Sequence, residues 1–90
     1  MANCFQLCVQ TAEGVALEGA AEYCNLLTAD GSVGIIANHA PMLCAVREGT
    51  ARFRMENGEE KKLHLSAGVA DVRNNTVMIL TDRVEKERTE

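Results

Sequence analysis

The sequence predicts an all-β protein, a flattened two-sheet antiparallel β-sandwich or barrel of roughly eight to ten short strands. Three observations carry that prediction. Apolar and polar residues alternate with a period of two over several short stretches, as strands with one buried face require. Turn and break signals at Gly14, Gly19, Asp30-Gly31, Pro41, Gly49, Asn57-Gly58, Ala67-Gly68 and Asn74-Asn75 recur at intervals averaging about 8–12 residues. The composition suits a small aliphatic core, because aromatics make up only 3% of the chain and Phe5, Tyr23 and Phe53 are its only large rings. Ninety residues allow one domain and one core.

Residues 4–11 place Phe5, Leu7 and Val9 on one side and Cys4, Gln6, Cys8 and Gln10 on the other, which is strand periodicity. Gly14 breaks the run. Val15 to Leu17 read as a short second strand before Gly19, and residues 22–28 suit a third that ends at the Asp30-Gly31 turn. Further strands fall around Val33–Ile36 and Met42–Val46. Ala51, Phe53 and Met55 then alternate with Thr50, Arg52, Arg54 and Glu56, so this strand covers a core while its back meets water.

Asn57-Gly58 is the strongest hairpin signal in the chain and predicts a turn with positive φ at both central positions. Leu63 and Leu65 continue the apolar face on the returning strand, and Ala67-Gly68 marks a bulge or a close packing point. Val69 to Arg73 and Thr76 to Thr81 are the last two strands, joined at Asn74-Asn75. The sandwich domain is thus expected over residues 1–82 and a charged tail over residues 83–90. At helical spacing Asp82–Lys86 and Arg83–Glu87 would contribute about 0.2–0.5 kcal/mol each. A lone helix needs about 12–15 residues, so a frayed tail is expected there.

The stretch from Gly31 to Gly49 organises the rest. Its apolar runs are short enough to be buried strands. Between them Pro41, the only proline, fixes its own φ, removes a backbone donor and pushes Ala40 into an extended conformation. Asn38 and His39 are therefore presented on a stiff bend. His39 has two readings on turn chemistry alone: a ring that bonds backbone groups inside the bend, or a contact residue.

Gly34-Ile35, His39-Ala40-Pro41 and Gly49, followed by Leu65-Ser66-Ala67-Gly68-Val69 with Asp71-Val72, and then Val77 to Asp82, resemble segments of the same order and spacing in the epsilon subunit of rotary F-type ATP synthases. The resemblance runs from about Cys4 to Asp82. It implies the flattened two-sheet sandwich and a non-catalytic rotor subunit that joins the gamma shaft to the membrane c-ring. It also implies an interface formed by Ser32, Asn38, His39, Ala40 and Pro41, with Met42 and Cys44 leading toward gamma. For Arg52, Arg54 and Glu56 a solvated face and a gamma-covered face are both open. Two departures stand out. The family often has an acid where Ser32 sits, and many members continue into a C-terminal pair of helices that regulates hydrolysis and in some binds ATP, which this sequence does not contain.

Several functions find no support in the residues. The net charge of −4, with bases and acids interleaved, does not suit nucleic acid or anionic lipid, which require clustered Lys and Arg. No apolar run approaches the ~20 residues that span a bilayer, and the N-terminus lacks the pattern of a signal peptide. A cytoplasmic protein is expected, peripheral to the membrane through other subunits.

Catalytic motifs are equally thin. His39 and His64 are the only histidines, and neither a nucleophile elbow, a phosphate-cradling loop nor His-Glu-x-x-His occurs. A Cys44–His39 nucleophile pair is formally available, but five residues around a proline bend do not guarantee hydrogen-bond reach. Cys4, Cys8, Cys24 and Cys44 contain no Cys-x-x-Cys spacing and read as small, free apolar residues. No cofactor or metal is expected. The alternatives to the rotor subunit are a freestanding β-sandwich adaptor and a zinc or thiol module built on Cys4, Cys8 and Cys24.

Overall fold

The computed structural model describes residues 3–86. In chain order the strands are β1 (Phe5–Thr11), β2 (Gly14–Thr28), β3 (Gly31–Ile35), β4 (Met42–Val46), β5 (Gly49–Met55), β6 (Glu60–Leu65), β7 (Gly68–Arg73), β8 (Thr76–Thr81) and β9 (Val84–Lys86). They form two layers that share β2. One runs β2–β1–β8–β7–β4 and the other β3–β2–β5–β6–β9. The pairings are antiparallel, as expected, except that β1 lies parallel to β8.

β2 is a single strand of 15 residues where two strands were expected on either side of Gly19. Gly19 does not end it. With φ of 146° and no side chain, Gly19 lets the strand coil while its pairing with Leu7 stays intact. A register shift between Ala21 and Tyr23 continues the bend, so the first half pairs with β1 and the second with β3 and β5.

The hairpins β1–β2 and β2–β3 are built alike, on Thr11-Ala12-Glu13-Gly14 and Thr28-Ala29-Asp30-Gly31. In each, the threonine hydroxyl accepts the N–H two residues on and donates to the glycine carbonyl three residues on. The two other turns exchange the roles expected of them. Asn57 does not have positive φ. Gly58, at 88°, follows a turn closed by its N–H to the Met55 carbonyl at 2.9 Å, with Met55 N–H on the Glu59 carbonyl at 2.8 Å. The two-residue turn with both positions left-handed is instead Asn74-Asn75, at φ 52° and 56°.

Alternate residues of β1, β5, β6, β7 and β8 point inward. Phe53, Leu7, Leu26, Ile35, Leu65 and Ile79 are the largest fully buried side chains, each contributing about 1.5–3 kcal/mol of burial. Thr81 is the buried polar residue. It donates to the Ser66 carbonyl at 2.8 Å and contacts the Ser66 hydroxyl at 2.6 Å. Gly68 is a close packing point, since a β-carbon there would overlap the Leu80 carbonyl oxygen.

The segment expected to fray supplies β9. Val84 and Glu85 pair with Leu65 and His64 of β6, and Val84 packs on the core. The strand forms because β6 offers a free edge, which no local helical pairing matches. Residues 87–90, and with them the Arg83–Glu87 pair, lie outside the described residues.

Candidate functional site

The bend between β3 and β4 is anchored at both ends. Ile35 is fully buried before it, and Met42 enters β4 packed against the core after it. Asn38 sits at φ 62°, a left-handed position that asparagine tolerates better than most residues. Its N–H donates to Asn75 Oδ1 at 2.7 Å, while Asn75 Nδ2 donates to the Cys4 carbonyl at 2.8 Å. Gln6 N–H bonds the Asn75 carbonyl at 3.1 Å. His39 Nδ1 donates to the Ala40 carbonyl at 2.8 Å, so the ring braces the bend that presents it.

Asn38, Ala40 and Pro41 are exposed and His39 is half-buried, so the corner points outward. The other three residues of the expected interface gather in a second place. Ser32, Met42 and Cys44 line a groove of about 330 Å³ with Thr28, Ala29, Asp30, Val33 and Ala45. Asp30 lies two positions before Ser32 in this lining. Cys44 and His39 make no hydrogen bond to one another, and burial pushes the Cys44 thiol up, away from a reactive thiolate.

Most of the exposed large apolar side chains lie elsewhere, on the outer face of the β2–β1–β8–β7–β4 layer. Register sets Val15 beside Gln10, Gln10 beside Leu80, Leu80 beside Val69 and Val69 beside Ala45 in one row. The adjacent row holds Cys8, Met78, Asp71 and Leu43. Of the five large apolar residues exposed among the described residues, four lie here: Leu43 at 72%, Val15 at 52%, Leu80 at 50% and Val69 at 43%. The fifth, Ile36 at 61%, opens the bend.

The outer face of the other layer is charged. Arg52, Arg54 and Glu56 are exposed there, and Arg54 Nη2 meets Glu60 Oε2 at 3.1 Å.

Among the described residues no group of three or more His, Cys, Asp or Glu is placed to hold a metal. Cys24 points into the core, where burial pushes its thiol up to about 12, whereas Cys4 and Cys8 alternate with the buried residues of β1. The donor set of the zinc alternative is therefore not assembled. Asn75 and the apolar face both escaped the sequence reading. Asn74-Asn75 was legible as a turn, but nothing local connects it with Asn38.

A closed aliphatic sandwich with one apolar outer face and a braced, outward corner belongs to the class of β-sandwich interaction domains. Residues 4–87 match the family described as ATP synthase, Delta/Epsilon chain, beta-sandwich domain, and the chain belongs to that family. It is 38% identical over 85 residues to the ATP synthase epsilon chain of Clostridium novyi, covering 94% of this chain and 65% of that one. The same identity over the same length relates it to the epsilon chain of Desulfitobacterium hafniense, covering 64% of the relative. The chain thus spans 64–65% of the length of these curated relatives.

Among solved structures, one chain of the Euglena gracilis mitochondrial ATP synthase OSCP/F1/c-ring assembly superposes with TM-score 0.86 at 20% identity, over 96% of this chain and 54% of that one. One from the Tetrahymena thermophila mitochondrial ATP synthase central stalk/c-ring superposes with TM-score 0.77 at 17% identity, over 90% and 65%. At these identities the likeness is one of fold. No helix of the described residues is long and apolar enough to cross a membrane.

Proposed function

We propose that this chain is the sandwich part of a non-catalytic rotor subunit, joining a gamma-type shaft to a membrane c-ring so that ion-driven rotation is coupled to ATP synthesis. The observation that carries this reading is the concentration of Val15, Leu43, Val69 and Leu80 on one sheet face. Exposed apolar rows of this kind mark protein interfaces. The shaft covers this face, while Ser32 and the Asn38–Pro41 corner meet the ring, and Met42 and Cys44 lead from the corner toward the shaft. The protein is then peripheral to the membrane through the complex, with residues 1–82 carrying both surfaces and β9 completing the edge of the sandwich.

The mechanical logic follows from the fold. Two sheets sharing β2 cross-link the backbone in both layers, leaving few routes of local opening through which torque would be lost. No bond-making residue is needed, because the work is done by two surfaces held at a fixed separation. The test is co-elution of the purified chain with a purified gamma subunit. Leu80→Lys, at a half-exposed site, should keep the wild-type melt and lose co-elution. A folded wild-type chain that elutes apart from gamma overturns the proposal.

A further inference from the structure

Among the described residues the bend has one hydrogen bond to a distant part of the chain, and it ends on the Asn74-Asn75 turn. Asn75 uses both ends of its amide, Oδ1 accepting from Asn38 N–H and Nδ2 donating to the Cys4 carbonyl. These two unlike partners fix the orientation of the amide. Its own backbone is held at φ 56° beside Asn74 at 52° in a two-residue turn flanked by the paired Arg73 and Thr76. Thr76 Oγ1 donates to the Asn74 carbonyl at 3.2 Å, and Arg73 is occupied by Asp71 at 3.2 Å.

The bend and the turn therefore form one surface, with Ile36, Ala40 and Pro41 as apolar points and Asn38, His39 and Asn74 as amide and imidazole points. We propose that the Asn74-Asn75 turn shares the docking end with the bend, and that Asn75 is the positioning residue holding the bend in its docking shape. The inference rests on the rotor reading for the partner's identity, which is taken as the c-ring.

The chemistry of the clamp makes separable variants available. Asn75→Gly keeps the left-handed backbone and removes both amide bonds. Asn75→Asp keeps an acceptor for Asn38 N–H and loses the donor to Cys4. Asn74→Gly removes an exposed amide and leaves the clamp in place.

The experiment measures two quantities on the full chain: amide hydrogen exchange by NMR, and affinity for a purified gamma–c-ring assembly in detergent. In Asn75→Gly the Asn38 amide should lose its protection, amides of the β5–β6 hairpin should stay protected and speed up only by the factor that the loss of global stability sets, and affinity should fall about fivefold to tenfold. Asn75→Asp, which keeps the acceptor but turns a carboxylate oxygen toward the Cys4 carbonyl, should leave exchange at Asn38 and affinity between those of wild type and Asn75→Gly. Asn74→Gly should lower affinity about threefold with unchanged exchange at Asn38.

Wild-type affinity in Asn75→Gly despite faster exchange at Asn38 overturns the positioning role. So does loss of protection across the whole sandwich, which makes Asn75 a residue the fold cannot form without. Unchanged affinity in Asn74→Gly removes the turn from the surface. A wild-type chain that does not bind the assembly defeats the rotor reading and the docking inference together, while exchange at Asn38 still reports separately on the clamp.

Discussion

Asn75 reaches Asn38 across 37 positions of sequence with a hydrogen bond of 2.7 Å, and reaches Cys4 across 71 with one of 2.8 Å. One side chain thus joins the start of β1, the turn after β7 and the corner between β3 and β4. Replacement by Ala removes both bonds and places a β-carbon side chain without local hydrogen bonding at a left-handed φ. Two hydrogen bonds at about 1 kcal/mol each and a conformational cost of about 1–2 kcal/mol predict a loss of about 3 kcal/mol in urea unfolding. Asn75→Gly should recover about 1 kcal/mol of it. Equal losses in the two variants would mean that the left-handed backbone carries none of the effect.

The corner itself should be dispensable for folding. His39 braces Ala40 locally, and Pro41 is exposed. The double variant His39→Ala, Pro41→Ser should unfold cooperatively within about 0.5–1 kcal/mol of wild type, yet assemble poorly with shaft and ring. Loss of the cooperative transition would show that the corner is structural.

Gly68 is constrained by its neighbour across the ladder. A β-carbon there meets the backbone carbonyl of Leu80, which cannot rotate away as a side chain could. Gly68→Ala should cost about 1–3 kcal/mol, with the β7–β8 pairing shifted. A thermal midpoint equal to wild type would argue against the close approach.

Cys24 makes stability pH-dependent in the alkaline range. Burial raises its thiol from 9.0 to about 12, so the folded chain keeps a proton that the unfolded chain releases. The contribution is fully present below pH 9 and is lost as pH rises toward 12, by at most about 4 kcal/mol. Cys24→Ala should be less stable at neutral pH, because a buried sulfur is lost, but should decline less steeply between pH 9 and 12. Identical slopes for the two proteins would remove Cys24 as the cause.

Several features could be read without coordinates because they depend on neighbours along the chain. Period-two alternation identified the core faces of β1, β5 and β6, since Phe5, Leu7, Val9, Ala51, Phe53 and Leu63 must share one side of a pleat. Pro41 and the residues beside it identified an exposed corner for the same reason. Turn geometry was less legible. Asn57-Gly58 carries the stronger dipeptide signal, yet the longer connection there let a turn with Gly58 alone at positive φ form, and Asn74-Asn75 took the tighter one. Likewise a glycine that usually interrupts a strand serves in β2 to carry it from one layer to the other.

By itself the sequence determined an aliphatic all-β domain, its approximate strands and the outward bend at His39, because these follow from the alternation and backbone preferences of adjacent residues. Tertiary structure alone decided that β1 lies parallel beside β8, that residues 84–86 close an edge of β6, and that Asn75 clamps Asn38. It also decided that Val15, Leu80 and Val69 meet in one apolar row. Alternation tells each strand which side faces the core but not which strand stands next to it. Surfaces and clamps assembled from distant strands therefore arise only when the sheets close.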